Sequence, residues 1–208
     1  MFKWIVVFAA AVLAVFFGVR LALRRAPASG PAMRTTRMVR CAMIAAVYVV
    51  VCLALQPFSY GAVQVRLSEA LCLLLIFGPE YIVGVTLGCL LANALGSTVI
   101  DVVFGTLATL LACLVTWKLR SLRIRGLALP AAVPPVLFNA VIVGWEISVF
   151  FSDTPAALPV MLFNMLTVGI GEVISCGILG VALIKLIEQN RSLRQLFIEG
   201  GHAAAAGR

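Results

Sequence analysis

The stretch VMLFNMLTVGIGEVISCGILGVALIKLI, residues 160–187, decides the fold class. It carries a single carboxylate, Glu172, about twelve residues in, and a single lysine, Lys185, near its end. A bilayer core of about 30 Å is crossed by about 20 helical residues, so this run is long enough to span it. Further apolar runs lie at about 4–19, 41–55, 67–77, 81–95, 102–117 and 136–151. The whole chain of 208 residues is 63% hydrophobic and 12% charged, against about 45–50% and about 25% in ordinary globular proteins. A chain of this size leaves about a third of its potential surface exposed on folding. That much apolar surface needs lipid to cover it. The expectation is an all-α polytopic membrane protein, with six or seven spans by length and almost nothing outside the bilayer.

The same arithmetic excludes whole function classes. There is no room for a nucleotide-binding domain and no Gly-rich loop ending in Lys-Ser or Lys-Thr. The single histidine, His202, sits in an Ala/Gly tail, which argues against His-based catalysis and His-ligated metal. No nucleophile elbow, His-Glu-x-x-His or carboxylate cluster of metal-ligand spacing is present. The expectation is therefore neither an enzyme nor a holder of cofactor or metal. The formal net charge of +8 follows topology. Six arginines (20, 24, 25, 34, 37 and 40) fill the first linker. Lys118, Arg120, Arg123 and Arg125 fill a second connection, and Lys185, Arg191, Arg194 and Arg208 follow the last run. Lys and Arg collect in cytoplasmic loops. These segments, the C-terminus included, are read as cytoplasmic, where they also attract anionic lipid; nucleic acid is not an expected partner.

The segments 56–66, 96–101 and 152–159 then lie outside. Six helical passes are the natural count for the core, expected over 38–190. The pair 67–77 and 81–95, joined by Gly78-Pro79-Glu80, is either two short passes or a re-entrant hairpin, and both return the chain to the same side. Residues 1–25 are expected to form an extra hydrophobic anchor, since no small-x-small site precedes the arginines; a cleaved leader is the alternative. Residues 26–37 read as a linker and 191–208 as a cytoplasmic tail. Cysteines 41, 52, 72, 89, 113 and 176 all fall within apolar runs without a Cys-x-x-Cys pair, as small hydrophobes would.

Carboxylates in lipid cost about 2.5–3.5 kcal/mol each on insertion scales and mark function by default. Glu69, Asp101, Glu146, Asp153 and Glu172 fall in the outer half or middle of the expected bundle. Asp153 is the exception, a loop residue in Ser152-Asp153-Thr154-Pro155. Asn139 and Glu146, two turns apart, share a helix face that should point inward. Asn93 ends one run and Asp101 begins the next. Arg66 and Glu69 flank the start of the short second run, with Ser68 available to cap it. Together these residues predict a polar pocket beneath the loop 56–64. Gly84, Gly88, Ala92 and Gly96 form a small-residue stripe suited to helix packing. Ala42 and Ala46 suit either packing or docking of another membrane subunit.

At these residues the sequence resembles the QueT family of substrate-binding components of energy-coupling factor transporters, implicated in uptake of queuosine precursors. The resemblance is carried by Pro57-Phe58-Ser59-Tyr60-Gly61 followed by Gln64-Val65-Arg66-Leu67-Ser68-Glu69-Ala70-Leu71. It continues through Gly88-Cys89-Leu90-Leu91-Ala92-Asn93, Asp101-Val102-Val103-Phe104-Gly105-Thr106-Leu107-Ala108-Thr109, Pro134-Pro135-Val136-Leu137-Phe138-Asn139-Ala140 and Gly169-Ile170-Gly171-Glu172. It covers about 38–187 and leaves out the N-terminal anchor.

The resemblance implies a six-helix binder in a bacterial cell membrane. Such a binder captures its ligand outside and releases it inward with a transmembrane coupling subunit and two ATPases. It also makes Ala42 and Ala46 the expected contact with that coupling subunit. A 7-deazaguanine base presents an N–H beside an amine, which match the two oxygens of a carboxylate. Glu69 and Glu172 are the first candidates for the base or for an ammonium. Asn93 and Asn139 would orient the ligand, and Phe58 or Tyr60 would stack on it. Asp101, Glu146 and Arg66 are second candidates, Arg66 alternatively pairing with Glu69. An aminomethyl precursor would need a second carboxylate and a nitrile precursor would not. A binder for another vitamin or base, or a scaffold that binds no solute, stays open at this point.

Overall fold

The computed structural model describes residues 31–56, 65–151 and 157–197. The expected anchor 1–25, the loop carrying Phe58 and Tyr60, Asp153 and the end of the tail lie outside the described residues. The described residues are mostly helical. In chain order come α1 (Pro31–Ala54), a 3-10 helix (Leu67–Ile76), α2 (Glu80–Gly96), α3 (Val99–Leu119), α4 (Leu129–Phe150), α5 (Leu158–Gln189) and a short α6 (Arg191–Phe197). Thr35–Ala54, α3, α4 and α5 are long and apolar enough to cross a membrane, while the 3-10 helix and α2 are shorter. The protein is an all-α polytopic membrane protein.

The first helix starts at Pro31, ahead of the boundary expected at 38, so the end of the expected linker is helical. Proline is tolerated at a first helical position because its missing N–H would be unpaired there anyway. Along α1, Ile44, Tyr48 and Cys52 recur every fourth residue and are buried, whereas Met38, Val39, Ala42, Met43, Ala46, Val47 and Val50 are exposed. The buried face meets the small-residue stripe of α2. A Cβ on Gly84 would lie 2.9 Å from the carbonyl of Cys41, and one on Gly88 would lie 2.7 Å from the Cβ of Tyr48. Small residues thus let these two helices approach closely, as the stripe predicted.

The short second run settles as a 3-10 helix, rising about 2.0 Å per residue against 1.5 Å in an α-helix. It is therefore longer and thinner than the same residues would be as an α-helix. Ser68, Glu69, Ala70 and Cys72 through Leu75 are all buried, and α1 to α5 all pack against it. A helix apolar on every side is expected where protein surrounds it. Ser68 lies inside this helix with its hydroxyl unpartnered, and no side chain caps the start; the expected Ser68 cap is not formed.

Two prolines, Pro134 and Pro135, sit inside α4. Pro135 supplies no N–H for the carbonyl of Ala131, four residues back. The Thr116 hydroxyl of α3 donates to that carbonyl at 3.0 Å instead. Further along, a Cβ on Gly144 would lie 2.6 Å from the Met165 Cα, so α4 and α5 touch backbone to backbone there. Between α3 and α4 the chain reverses at Arg125 and Gly126, with φ of 52° and 77°, inside a bridge between Ile124 and Leu127. Two consecutive positive φ values are those of a tight hairpin turn, which glycine favours.

Candidate functional site

Buried polar side chains converge where the 3-10 helix meets its neighbours. Glu69 is the hub, fully enclosed. Tyr48 of α1 donates its hydroxyl to Glu69 Oε1 at 2.5 Å, and Thr109 of α3 donates to the same oxygen at 2.9 Å. Cys72, one 3-10 turn on, donates its thiol to Oε2 at 2.8 Å. A buried carboxyl group needs such donors, because burying it unpaired is costly.

A π-helical stretch, Val173–Gly180, widens α5 directly after Glu172 and packs against the 3-10 helix. Cys176 within it donates to the Glu69 carbonyl at 3.1 Å, and its sulfur lies 3.6 Å from Glu172 Oε2. π-Helical turns are rare and occur often at functional sites. Here the widened turn brings Glu172 to Glu69. One oxygen of each carboxylate and the Cys176 sulfur lie within 4.8 Å of one another, a spacing that a small cation could bridge.

A second cluster forms at the start of α3. Thr98 caps this helix by accepting from the Asp101 N–H at 3.4 Å, and Ser97 donates to the Asp101 carboxylate. Arg66 pairs with Asp101 at 3.1 Å, rather than with Glu69, the pairing that the sequence left open as an alternative. Arg66 sits at a tight turn just ahead of the 3-10 helix, closed by the Leu67 N–H donating to the Val65 carbonyl at 3.1 Å, and reaches α3, while Glu69 turns inward to Tyr48 and Thr109. Asn93 donates to the Asp101 carbonyl at 3.1 Å and to Cys89 at 3.5 Å, and Cys89 bonds Thr109 at 3.3 Å. This chain joins the second cluster to the Glu69 hub. Gly105 gives it room, since a Cβ there would lie 2.9 Å from Asn93 Nδ2 and 3.1 Å from Arg66 Nη1.

The inner face of α4 is different. Asn139 and Glu146 are buried, as their spacing predicted, yet neither amide atom of Asn139 and neither oxygen of Glu146 has a hydrogen-bond partner. Thr106 of the adjoining α3 is in the same condition. Asn139 faces Glu172, and Glu146 faces Asp101, each close enough for a loose side-chain contact that falls short of good hydrogen-bond geometry, with Arg66 also near Glu146. A buried polar group left unpaired costs about 1–3 kcal/mol. Several on facing helices make this face a candidate for ordered water or a polar ligand.

Glu69, Glu172, Asn93, Asn139, Asp101, Glu146 and Arg66 thus come together through two linked clusters. Phe58 and Tyr60 lie outside the described residues. Ala42 and Ala46 sit apart on the exposed face of α1. Sequence reasoning missed Tyr48, Thr109, Thr106, Cys72 and Cys176. The cysteines, read as small hydrophobes, also serve as thiol donors. Cys72 and Cys176 lie three and four residues from the carboxylates they serve, a spacing visible in the sequence.

The family model described as QueT transporter matches residues 38–189. The chain belongs to the QueT transporter family. Among relatives, the Queuosine precursor transporter QueT of Lactococcus lactis subsp. cremoris (strain MG1363) is 40% identical over 79 residues. That alignment takes in 37% of this chain and 47% of the relative, so the chain covers less than half of that relative's length. No solved structure matches the chain. Family membership places all the residues of the two clusters inside the matched region.

Proposed function

We propose that this QueT family member is the membrane-embedded substrate-binding component of a transporter for a queuosine precursor of the 7-deazaguanine type. The observation that carries this reading is the set of unpartnered buried polar atoms on Asn139, Glu146 and Thr106, beside carboxylates that are themselves held in place. A deazaguanine has donors and acceptors along one edge and a flat apolar face. Asn139 offers both a donor and an acceptor, while Glu146 and Glu172 offer acceptors to the amine and ring N–H. Phe58 and Tyr60 are the stacking partners in this reading.

ATP hydrolysis falls to separate subunits, reached through a transmembrane coupling subunit docked on Ala42 and Ala46. Support for that contact is the exposed apolar strip around two small residues, Met43 and Val47 among its members. The chain lies in the cell membrane with the basic 118–125 connection and the C-terminus on the cytoplasmic side.

Calorimetry of the purified full chain in nanodiscs, titrated with 7-deazaguanines and a panel of vitamins, tests the substrate. Selective binding of a deazaguanine is expected. Binding of a vitamin instead, or of nothing, contradicts the proposal. Co-expression with candidate ATPases tests coupling: the wild type should co-purify with an ATPase pair and the double variant Ala42→Leu/Ala46→Leu should not.

A further inference from the structure

The connection from α3 to α4 carries charge and apolar surface that the two buried clusters do not use. Lys118, Arg120, Arg123 and Arg125 fall close together along it and are all exposed. Lys185 of α5 is exposed as well, one turn ahead of Glu188, and Glu188 accepts from Arg123 at 2.6 Å. That contact ties the connection to α5 and neutralises one cation. Among the described residues no second carboxylate is ion-paired with this segment. The tip is also apolar. Ile124 and Leu127 exchange two backbone hydrogen bonds, at 3.0 and 2.9 Å, around Arg125 and Gly126. Leu127 and Trp117 pack against the core, whereas Leu122 and Ile124 stay 51% and 53% exposed. Bare branched hydrophobes interleaved with arginines suit a segment seated at a membrane surface, where lipid covers the former and headgroups meet the latter.

Arg120 is already set in place. Its guanidinium carbon lies 4.0 Å above the Trp117 ring, and an N–H donates to the Trp117 carbonyl at 2.9 Å. A guanidinium laid over an indole keeps its other N–H donors free to meet two oxygens of a phosphate, and little rotamer freedom is left to lose. Tryptophan itself favours the headgroup level of a bilayer. Resting on the membrane placement proposed above, and independent of the substrate, we propose that the α3–α4 hairpin is a docking site for an anionic phospholipid. Arg120 is the fixed anchor for the phosphate, Lys118, Arg125 and Lys185 are flanking cations, and Leu122 and Ile124 meet the acyl chains. A phosphatidylcholine carries the same phosphate but brings its own cation, which these side chains repel. The site therefore selects phosphatidylglycerol.

The test is Trp117 fluorescence of the full chain bearing Trp4→Phe and Trp145→Phe. The chain sits in mixed phosphatidylcholine and phosphatidylglycerol vesicles, with one lipid or the other dibrominated as quencher. Phosphatidylglycerol should be preferred at Trp117 about tenfold in about 0.1 M salt, the order expected of one or two basic side chains at an anionic surface. Adding Arg120→Gln and Arg125→Gln should bring the preference to about twofold or less. Arg191→Gln and Arg194→Gln remove the same charge from α6 and should leave it unchanged. Equal loss in the two double variants would reveal a diffuse field instead of a site and overturn the proposal. Equal quenching by both lipids in the starting chain also overturns it, and would leave the hairpin to an acidic protein partner. Quenching by neither lipid overturns the placement of the hairpin at the membrane as well. Both leaflets carry the quencher and no deazaguanine is present, so failure of the orientation or the substrate reading leaves the test intact. Native mass spectrometry of the wild-type chain released from the same vesicles is the arm free of substitutions, and phosphatidylglycerol should be the lipid retained.

Discussion

The bonding around Glu69 and the inner face of α4 are equally buried and equally polar, yet opposite in one respect. Around Glu69 the bonds are made, with a tyrosine, a threonine and a cysteine from three elements supplying donors. On α4 they are not, since Asn139 and Glu146 have no hydrogen-bond partner. A satisfied buried network fixes one arrangement of the elements it joins. An unsatisfied one raises the free energy of the chain until something completes it. The difference sets a scaffold beside a proposed reader: Glu69 bonds the 3-10 helix to α1 and α3, and α4 carries the groups proposed above to recognise a ligand.

Breaking the scaffold should give the largest effect. Glu69→Ala strands the Tyr48 and Thr109 hydroxyls and opens a cavity at the centre, a loss of about 3 kcal/mol or more. Thermal melts in detergent should show little folded protein; a wild-type Tm would refute the scaffold role. Next comes Gly105→Leu, whose Cβ would meet Asn93 and Arg66. It should lower stability by about 1–3 kcal/mol through overpacking, and the same melts check it. Asn139→Ala and Thr106→Val should weaken ligand affinity about tenfold, or about 1.4 kcal/mol, with Tm held or raised because a buried unpaired group is gone. The smallest effect belongs to neither region. Arg123 and Glu188 pair at 2.6 Å but are only about two-thirds buried. Arg123→Gln should cost about 0–1 kcal/mol and less in high salt, read as a salt-dependent shift in Tm.

The class of fold was legible because apolar run length and basic-residue placement are properties of the chain alone. So were the buried faces of Asn139 and Glu146, since a polar side chain in an apolar helix has one tolerable direction. The form of the short run was not: Leu67–Ile76 reads the same as an α-helix or a 3-10 helix, and only its enclosure by the other helices selects the thinner, longer form. Partner choice was equally hidden. Arg66 is three residues from Glu69 and 35 from Asp101, yet it pairs with the distant one, because the turn of the chain ahead of the 3-10 helix aims it at α3. Glu69 and Glu172 were both candidates from the sequence, but the π-helical widening beside Glu172 has no sequence pattern behind it, and their closeness is a property of the fold.

Glu146→Met tests the separation of scaffold and reader most directly, because it removes an unpaired buried carboxylate and keeps most of the volume. The variant should show a ligand-free Tm equal to or above wild type, a gain of about 1 kcal/mol at most, together with at least about tenfold weaker binding of the deazaguanine by calorimetry. A Tm several degrees lower with affinity unchanged would contradict it, and would place Glu146 in the scaffold.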